Sequence, residues 1–300
     1  MSEINEQAWG DFWAQQQGRS DGGCLPDGYR AIETAQRQIW SDFAASLEQG
    51  SSVLDLATGD GRVMAWLIAK SDALALTGVD LAPKLPPPPA GATVKAGVAM
   101  EDLPFENGHF DTVVSQFGFE YGDVARVALE VARVLRPGGS LAILTHRIDG
   151  PILAHNSARR MQIGWIFNRK DLFRLAHEAL EAGATTAPMA VLQAVQEGAQ
   201  RFGSGSAAWE IAEAVRRTME LRSQQPRAQV AATLRLIADR AANEIARIDS
   251  LGAACRTTAD DQGFKAALDG AGLTTVEQKA VSEAEGAAPF ADFRVFRLGQ

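Results

Sequence analysis

Between Val53 and Arg62 the chain reads VLDLATGDGR, an apolar run that carries one acidic residue and ends in a glycine-bearing turn. Val53 to Leu56 has strand character, Gly59 and Gly61 interrupt it, and a helical pattern follows from Arg62 to Ala69. A strand feeding a helix through such a turn places backbone N–H groups and a helix N-terminus at the strand's carboxyl end, where open α/β sheets bind ligands. Glycine lets the backbone approach a ligand there, because it has no Cβ to collide with it. Taken alone, the segment also fits a phosphate-binding dinucleotide turn.

From Ser51 to about Thr145 short apolar runs alternate with helical patterns, the signature of βαβ units. Further strands are expected at Leu76–Val79 (ending at Asp80), Val94–Val98, Phe110–Ser115 and Ser140–Thr145. A long amphipathic helix is expected at Val124–Leu135, with the turn Arg136-Pro137-Gly138-Gly139 before the fifth strand. Asp260–Ala271 reads as a returning helix, and Thr274–Val281 and Phe293–Leu298 as two more strands. The fold class expected is α/β: a doubly wound, seven-stranded Rossmann-like sheet with an antiparallel edge strand. One crossover departs from this scheme. LAPKLPPPPAGAT, after Asp80, contains four consecutive prolines, which a helix does not hold, so a polyproline-like connector is expected, either a solvated spacer or a docking segment.

After Gly150 the character changes to Ala, Leu, Arg and Glu at helical spacing, which predicts a helical insertion after the fifth strand. Its candidate helices are Arg169–Glu181, Pro188–Ala199, Ala207–Arg222 and Arg227–Leu251. Near the N-terminus Trp9, Phe12 and Trp13 recur at helical spacing, followed by a Gly-rich loop and Tyr29. The domains expected are an N-terminal helical lid over 1–48, a Rossmann-like binding domain over 49–149 and 256–300, and a helical substrate cap over 150–255. The cap can close a pocket or serve as a dimerisation element, so a homodimer is possible.

Composition removes several function classes. A formal charge of −8 on 300 residues argues against nucleic acid, whose phosphates are tracked by clustered Lys and Arg. The two cysteines, Cys24 and Cys255, lie far apart with no ligand-spaced partners, so neither a disulfide framework nor a metal site is expected. No stretch approaches about 20 uninterrupted apolar residues, so no membrane span is expected, and the location expected is cytoplasmic.

The marks that follow the first turn narrow the reading. Gly78-Val79-Asp80 puts a carboxylate at the tip of the second strand, where it can accept ribose hydroxyls. Glu101-Asp102-Leu103-Pro104-Phe105, Phe110-Asp111 and the run Glu130 to Gly139 come after it in order. Together these resemble the class I S-adenosylmethionine-dependent methyltransferases, in the methyltransferase type 11 branch that includes the ubiquinone and menaquinone enzymes. The resemblance covers about Ser51 to Thr145. It implies S-adenosyl-L-methionine as cofactor. It further implies that Asp55 supports the turn near the methionine ammonium, with Ala57, Thr58, Gly59 and Gly61 passing under methionine and ribose. Asp80 would hold the ribose hydroxyls, Leu81 and Met100 would meet adenine, Gln116, just past the fourth strand, would offer its carbonyl to the methionine ammonium, and Phe117 would border the methionine. Tyr29 would lie near the methionine carboxylate. Ala57 stands where the family pattern has its first glycine, and Ala99 where relatives carry an aspartate for the adenine amino group. Either Glu101 or Asp102 replaces that aspartate, or adenine is held by backbone alone.

Methyl transfer needs alignment, desolvation and sometimes a proton acceptor. The candidates above the strand ends are Glu120, Tyr121 and His146, with His146 as the base because imidazole titrates near neutrality. His155, Asn156 and Arg159 open the insertion. The leading reading is methyl transfer to a small-molecule acceptor through an oxygen, nitrogen or carbon nucleophile. Two others stand beside it: intramolecular cyclisation of the cofactor's aminobutyrate portion with release of methylthioadenosine, and a non-catalytic cofactor-sensing or partner-binding protein.

Overall fold

The computed structural model describes Gly10, residues 30–71 and residues 73–300. The chain divides into two compact units, one comprising residues up to Leu153 and from Ser250 onward, the other Ala154–Asp249.

The first unit is built on β1 (Ser52–Leu56), β2 (Ala75–Asp80), β3 (Ala92–Ala96), β4 (Phe110–Gln116), β5 (Leu135–His146), β6 (Leu273–Ser282) and β7 (Pro289–Leu298), in the spatial order β3-β2-β1-β4-β5-β7-β6. β1 to β5 pair in parallel, and β7 runs antiparallel between β5 and β6. The period-2 alternation of the strands divides their side chains between two cores. Val53, Val114, Ala142 and Leu144 face one core, with Trp40 of α1 (Arg30–Ala44) and Met64 and Leu67 of α2 (Arg62–Ile68). Leu54, Leu56, Val113, Leu141 and Ile143 face the other. There they meet Val127, Val131 and Val134 of α3 (Val124–Val134), spaced one helical turn apart, and Phe264 and Leu268 of the later helix Asp261–Gly270. Asp123 caps α3 by accepting from the Arg126 N–H.

Because β2 lies on one side of β1 and β4 on the other, the direction of winding reverses between β1 and β4. That switch point is where such sheets open a crevice at their carboxyl ends. Ala57 and Phe117, just past the two strands, both adopt left-handed backbone, with φ of +52° and +54°. For non-glycine residues this conformation costs about 1–2 kcal/mol each, and such strain concentrates at functional sites.

Several boundaries differ from expectation for local reasons. The third strand ends at Ala96, two residues early, because Gly97 turns left-handed at φ +72°. The Arg136–Gly139 turn does not precede the fifth strand. It lies within β5 as a bulge, where the register against β4 jumps between Phe110 and Thr112 and Gly138 sits at φ +75°. Gln116 is the last residue of β4 rather than the first beyond it. The proline segment is irregular throughout, as its chemistry requires.

The second unit consists of helices around its own core. The element α4 (Pro151–Gly164), which the sequence reading missed, runs into a five-residue π-turn at Trp165–Arg169. Then come α5 (Leu172–Glu181), α6 (Met189–Phe202), α7 (Ala207–Glu220) and α8 (Arg227–Ala259), the last eight residues longer than expected. Trp165, Ile166, Leu172, Leu180, Val191, Val215, Met219 and Val230 form the centre of this core. Arg159 pairs with Glu244 at 2.7 Å inside the unit. The helix Asp261–Gly270, α9, returns the chain to the sheet.

Candidate active site

The turn after β1 satisfies most of its own backbone. Thr58 N–H donates to Val79 O (3.0 Å), Gly59 N–H to Asp80 Oδ2 (2.9 Å), Gly61 N–H to Thr58 O (2.8 Å) and Arg62 N–H to Asp60 Oδ1 (3.2 Å). A dinucleotide turn keeps such donors free for a pyrophosphate, and here they are already used. The role of Gly61 also differs from the one expected. It sits at φ +73°, and a Cβ on it would fall 2.7 Å from Pro89 Cδ of the proline connector, so the clash is with the protein itself.

Three carboxylates surround this turn. Asp55 is 1% exposed and accepts from Thr58 Oγ1 at 2.6 Å. Burial pushes its carboxyl up to about 7, the Thr58 hydroxyl opposes this, and the charges of Asp80 and Asp60 add to it. Asp80 is likewise raised by burial, against the Ala82 and Gly59 N–H groups that hold its two oxygens. Asp60 is neutralised by Arg62 at 2.6 Å, but among the described residues no Lys, Arg or His pairs with Asp55 or Asp80. The cradle is thus electronegative and poor in spare donors. A diphosphate would be repelled, whereas a ligand bearing ammonium, sulfonium and ribose hydroxyls fits. Each Asp80 oxygen uses one lone pair on the backbone and keeps another for a hydroxyl.

The loop after β3 is held by a clamp on α3. Arg133 donates to Leu103 O (2.9 Å), Phe105 O (2.7 Å) and Asn107 Oδ1 (3.1 Å), while Glu130 Oε2 accepts from Leu103 N–H (2.8 Å) and from Arg133. The Leu-Pro-Phe segment and the Glu130–Arg133 pair therefore form one structural unit. It fixes Met100, which is buried, and Glu101. Glu101 Oε1 accepts from Asp123 N–H at 3.0 Å, and Asp102 is exposed. Leu81 is half-buried beside Asp80.

The loop after β4 links this cradle to the end of β5. Ser115 Oγ donates to Leu56 O (3.0 Å) and accepts from Phe119 N–H (3.1 Å). A Cβ at Gly118 would lie 2.4 Å from the Ala57 Cβ, so only glycine lets the two loops touch. The side-chain oxygen of Gln116, expected at the methionine ammonium, accepts from Trp40 Nε1 at 2.7 Å and ties β4 to α1. Phe117 stacks on His146, with centroids 4.0 Å apart and planes 23° apart. Glu120, 1% exposed, accepts through Oε1 from the backbone N–H of His146 (3.0 Å) and lies with the same oxygen 2.9 Å from His146 Nδ1, and the Tyr121 ring lies edge-on 6.1 Å away. Cys255, nearby, is pushed up to about 12 by burial and by the Glu120 charge, so its thiol stays protonated.

The structure thus gathers Asp55, Thr58, Gly59 and Asp80 around one turn, and Phe117, Glu120, Tyr121 and His146 around its neighbour. Tyr29, Trp9, Phe12 and Trp13 lie outside the described residues. Trp40, Ser115, Glu130 and Arg133 were missed as site-forming residues; only the ordered motif series hinted at the last two. No metal-binding cluster occurs among the described residues, and no described helix is long and apolar enough to cross a membrane.

Residues 54–143 match the family described as "Methyltransferase domain". The chain is similar to the 2-phytyl-1,4-naphtoquinone methyltransferase of Nostoc punctiforme, 32% identical over 139 residues that cover 41% of this chain and 60% of that protein. It is also similar to the demethylmenaquinone methyltransferase of Thermus thermophilus, 33% identical over 100 residues, 31% of this chain and 46% of that one. An uncharacterized protein of Mycobacterium tuberculosis is 30% identical over 115 residues, 36% of this chain and 41% of its own length. In each case the chain spans less than two thirds of the relative. Among solved structures, geranyl diphosphate methyltransferase in complex with GPP and sinefungin matches 48% of this chain and 66% of its own at 20% identity and a TM-score of 0.35. The domain that residues 54–143 specify belongs to the class I S-adenosylmethionine-dependent methyltransferases.

Proposed function

We propose that the protein transfers the methyl group of S-adenosylmethionine to a small-molecule acceptor. The observation that carries this reading is the electronegative cradle of Asp55 and Asp80 around a turn whose own N–H groups are already bonded. When bound, the cofactor supplies a methyl carbon activated by the sulfonium. Asp80 would accept the ribose hydroxyls, Asp55 would face the methionine ammonium through the turn, and Gln116 would offer its remaining lone pair there. Leu81 and Met100 would enclose adenine. With Glu101 bonded to the Asp123 N–H, adenine is held through backbone beside Ala99 and Met100. His146 is the candidate proton acceptor, because it stands at the carboxyl end of β5, next to the switch-point loop.

Acceptor choice is assigned to the segment 150–255, since the family match ends at residue 143. The test is calorimetry with S-adenosylmethionine and with NADH, followed by transfer of labelled methyl to a panel of phenols, enols and amines. Micromolar binding of the first, none of the second, and label on a panel member are expected. Methylthioadenosine formed without any acceptor would overturn the transferase reading.

A further inference from the structure

Glu120 is a fully buried carboxylate with an unusual set of partners. Oε1 meets two atoms of one residue, accepting from the backbone N–H of His146 at 3.0 Å and lying 2.9 Å from its Nδ1, while Oε2 has no hydrogen-bond partner among the described residues. A carboxylate buried in this way is costly to keep. Its counterpart is not an arginine but an imidazole. Phe117 stacks on the face of that imidazole, and Thr258 Oγ1 donates to the backbone carbonyl of His146 at 2.8 Å, which holds the main chain that carries the ring. The ring is thus held on one face by Phe117 and at its Nδ1 edge by Glu120.

We propose that Glu120 is a positioning residue that holds His146 as the Nδ1–H tautomer, leaving the Nε2 lone pair as the proton acceptor for methyl transfer. The proposal rests on the reading of the site as a methyltransferase centre and specifies how its base is prepared. An oxygen that already accepts a backbone N–H calls for a second donor, so Nδ1 carries the proton and Nε2 does not. Nε2 has no hydrogen bond among the described residues, and His146 keeps 7% of its surface open. The left-handed Phe117 is explained by the same arrangement, because the reversal of chain direction there brings its ring onto the imidazole. In the reaction, the acceptor's lone pair forms the new bond to the methyl carbon and the carbon–sulfur electron pair leaves with sulfur. Nε2 takes the proton that the acceptor releases, and Glu120 stabilises the resulting imidazolium until the proton returns to water.

The test is a long-range 15N–1H correlation spectrum of the full chain labelled at histidine, without any ligand. Expected for His146 are a protonated Nδ1 and an Nε2 with the shift of a bare lone pair. E120Q, whose amide oxygen can still accept from both donors, keeps that signature, and E120L loses it. On whichever phenol, enol or amine of the panel is methylated, E120Q lowers kcat at least 10-fold and changes the KM for S-adenosylmethionine less than 2-fold. A wild-type spectrum showing Nε2–H overturns the proposal without reference to any variant, as does an unchanged kcat in E120Q. If no panel member accepts methyl, the transferase reading fails while the tautomer stands or falls on the spectrum.

Discussion

The two ends of the parallel sheet handle their carboxylates in opposite ways. At the amino ends of the strands, Asp111 accepts from the Ser52 N–H and hydroxyl and pairs with Arg136, and the nearby Glu130 is bonded to Arg133. At the carboxyl ends, Asp55 and Asp80 are buried with no cation among the described residues, and Glu120 faces an imidazole. The first arrangement lowers the carboxyl pKa: for Asp111 burial is outweighed by the Ser52 hydrogen bonds and Arg136, and for Glu130 the Arg133 hydrogen bond leads. For Asp55 and Asp80, burial without a cation raises it. A chain selected for stability alone would neutralise both ends. Charge left unbalanced at one end only is what a cationic ligand would complete.

The largest expected effect follows from Asp55. Its folded-state carboxyl titrates near 7 against about 4 when unfolded, so the unfolded chain releases this proton first as pH rises. The stability linked to it is complete below about pH 4 and is lost as pH rises through 7, on the order of 4 kcal/mol for one buried group. D55N should therefore be more stable than wild type at pH 8 without cofactor, and the two should converge at pH 4. Urea unfolding at the two pH values decides this. A D55N protein less stable than wild type at pH 8 would mean that the uncompensated charge is not a cost, and the contrast between the sheet ends would collapse.

Asp80 comes next. D80N retains size and one acceptor oxygen, but it cannot hold the Gly59 and Ala82 N–H groups and also accept two hydroxyls. A hydrogen bond to a charged group is worth about 1.5–3 kcal/mol, so the Kd for S-adenosylmethionine should rise roughly 10- to 100-fold, with a small change in Tm. Calorimetry on D80N beside R136A sharpens the comparison, because the amino-end variant should bind the cofactor as wild type does.

How much of this was readable beforehand depends on sequence distance. β1, β2, β4 and α3 were legible because period-2 and period-3.6 patterns are local, and the carboxylates at the strand tips follow from them. What the pattern could not show was each group's partner. Trp40 and Gln116 are 76 residues apart, Ser52 and Asp111 are 59, and Gly61 meets Pro89 across an entire crossover. The position of the glycine turn thus follows from the local pattern, whereas the partners that its N–H groups take do not. Likewise Arg136–Gly139 looked like a chain reversal, because a bulge within a paired strand uses the same glycines as a turn.

The clamp on the loop after β3 gives a smaller effect. R133A would leave the Leu103 and Phe105 carbonyls without their donor and Glu130 without its cation. At a partly exposed site the loss should be about 1–2 kcal/mol. Hydrogen exchange should quicken in residues 99–107, and the cofactor Kd should rise a few-fold because Met100 and Glu101 are less fixed. Unchanged exchange there would separate the Leu-Pro-Phe segment from the adenine end.

The smallest effect belongs to the Asp111–Arg136 pair. Both side chains are substantially exposed, 32% and 52%, so solvent and salt screen the attraction and R136A should cost less than about 1 kcal/mol. Its pH dependence nevertheless has the opposite sign to that of Asp55. Because the Asp111 carboxyl is lowered on folding, the stability it contributes is present above about pH 4 and is lost on acidification through its folded-state value. Removing Arg136 takes away part of that lowering, so R136A should differ from wild type at pH 7 and approach it under acid conditions, whereas D55N diverges from wild type as pH rises. Raising the salt concentration should shrink the R136A difference and leave the D55N difference largely intact, since only the buried carboxylate lies beyond the reach of mobile ions. Equal salt sensitivity in the two variants would place both charges in comparable solvent and remove the physical basis for assigning ligand binding to one end of the sheet.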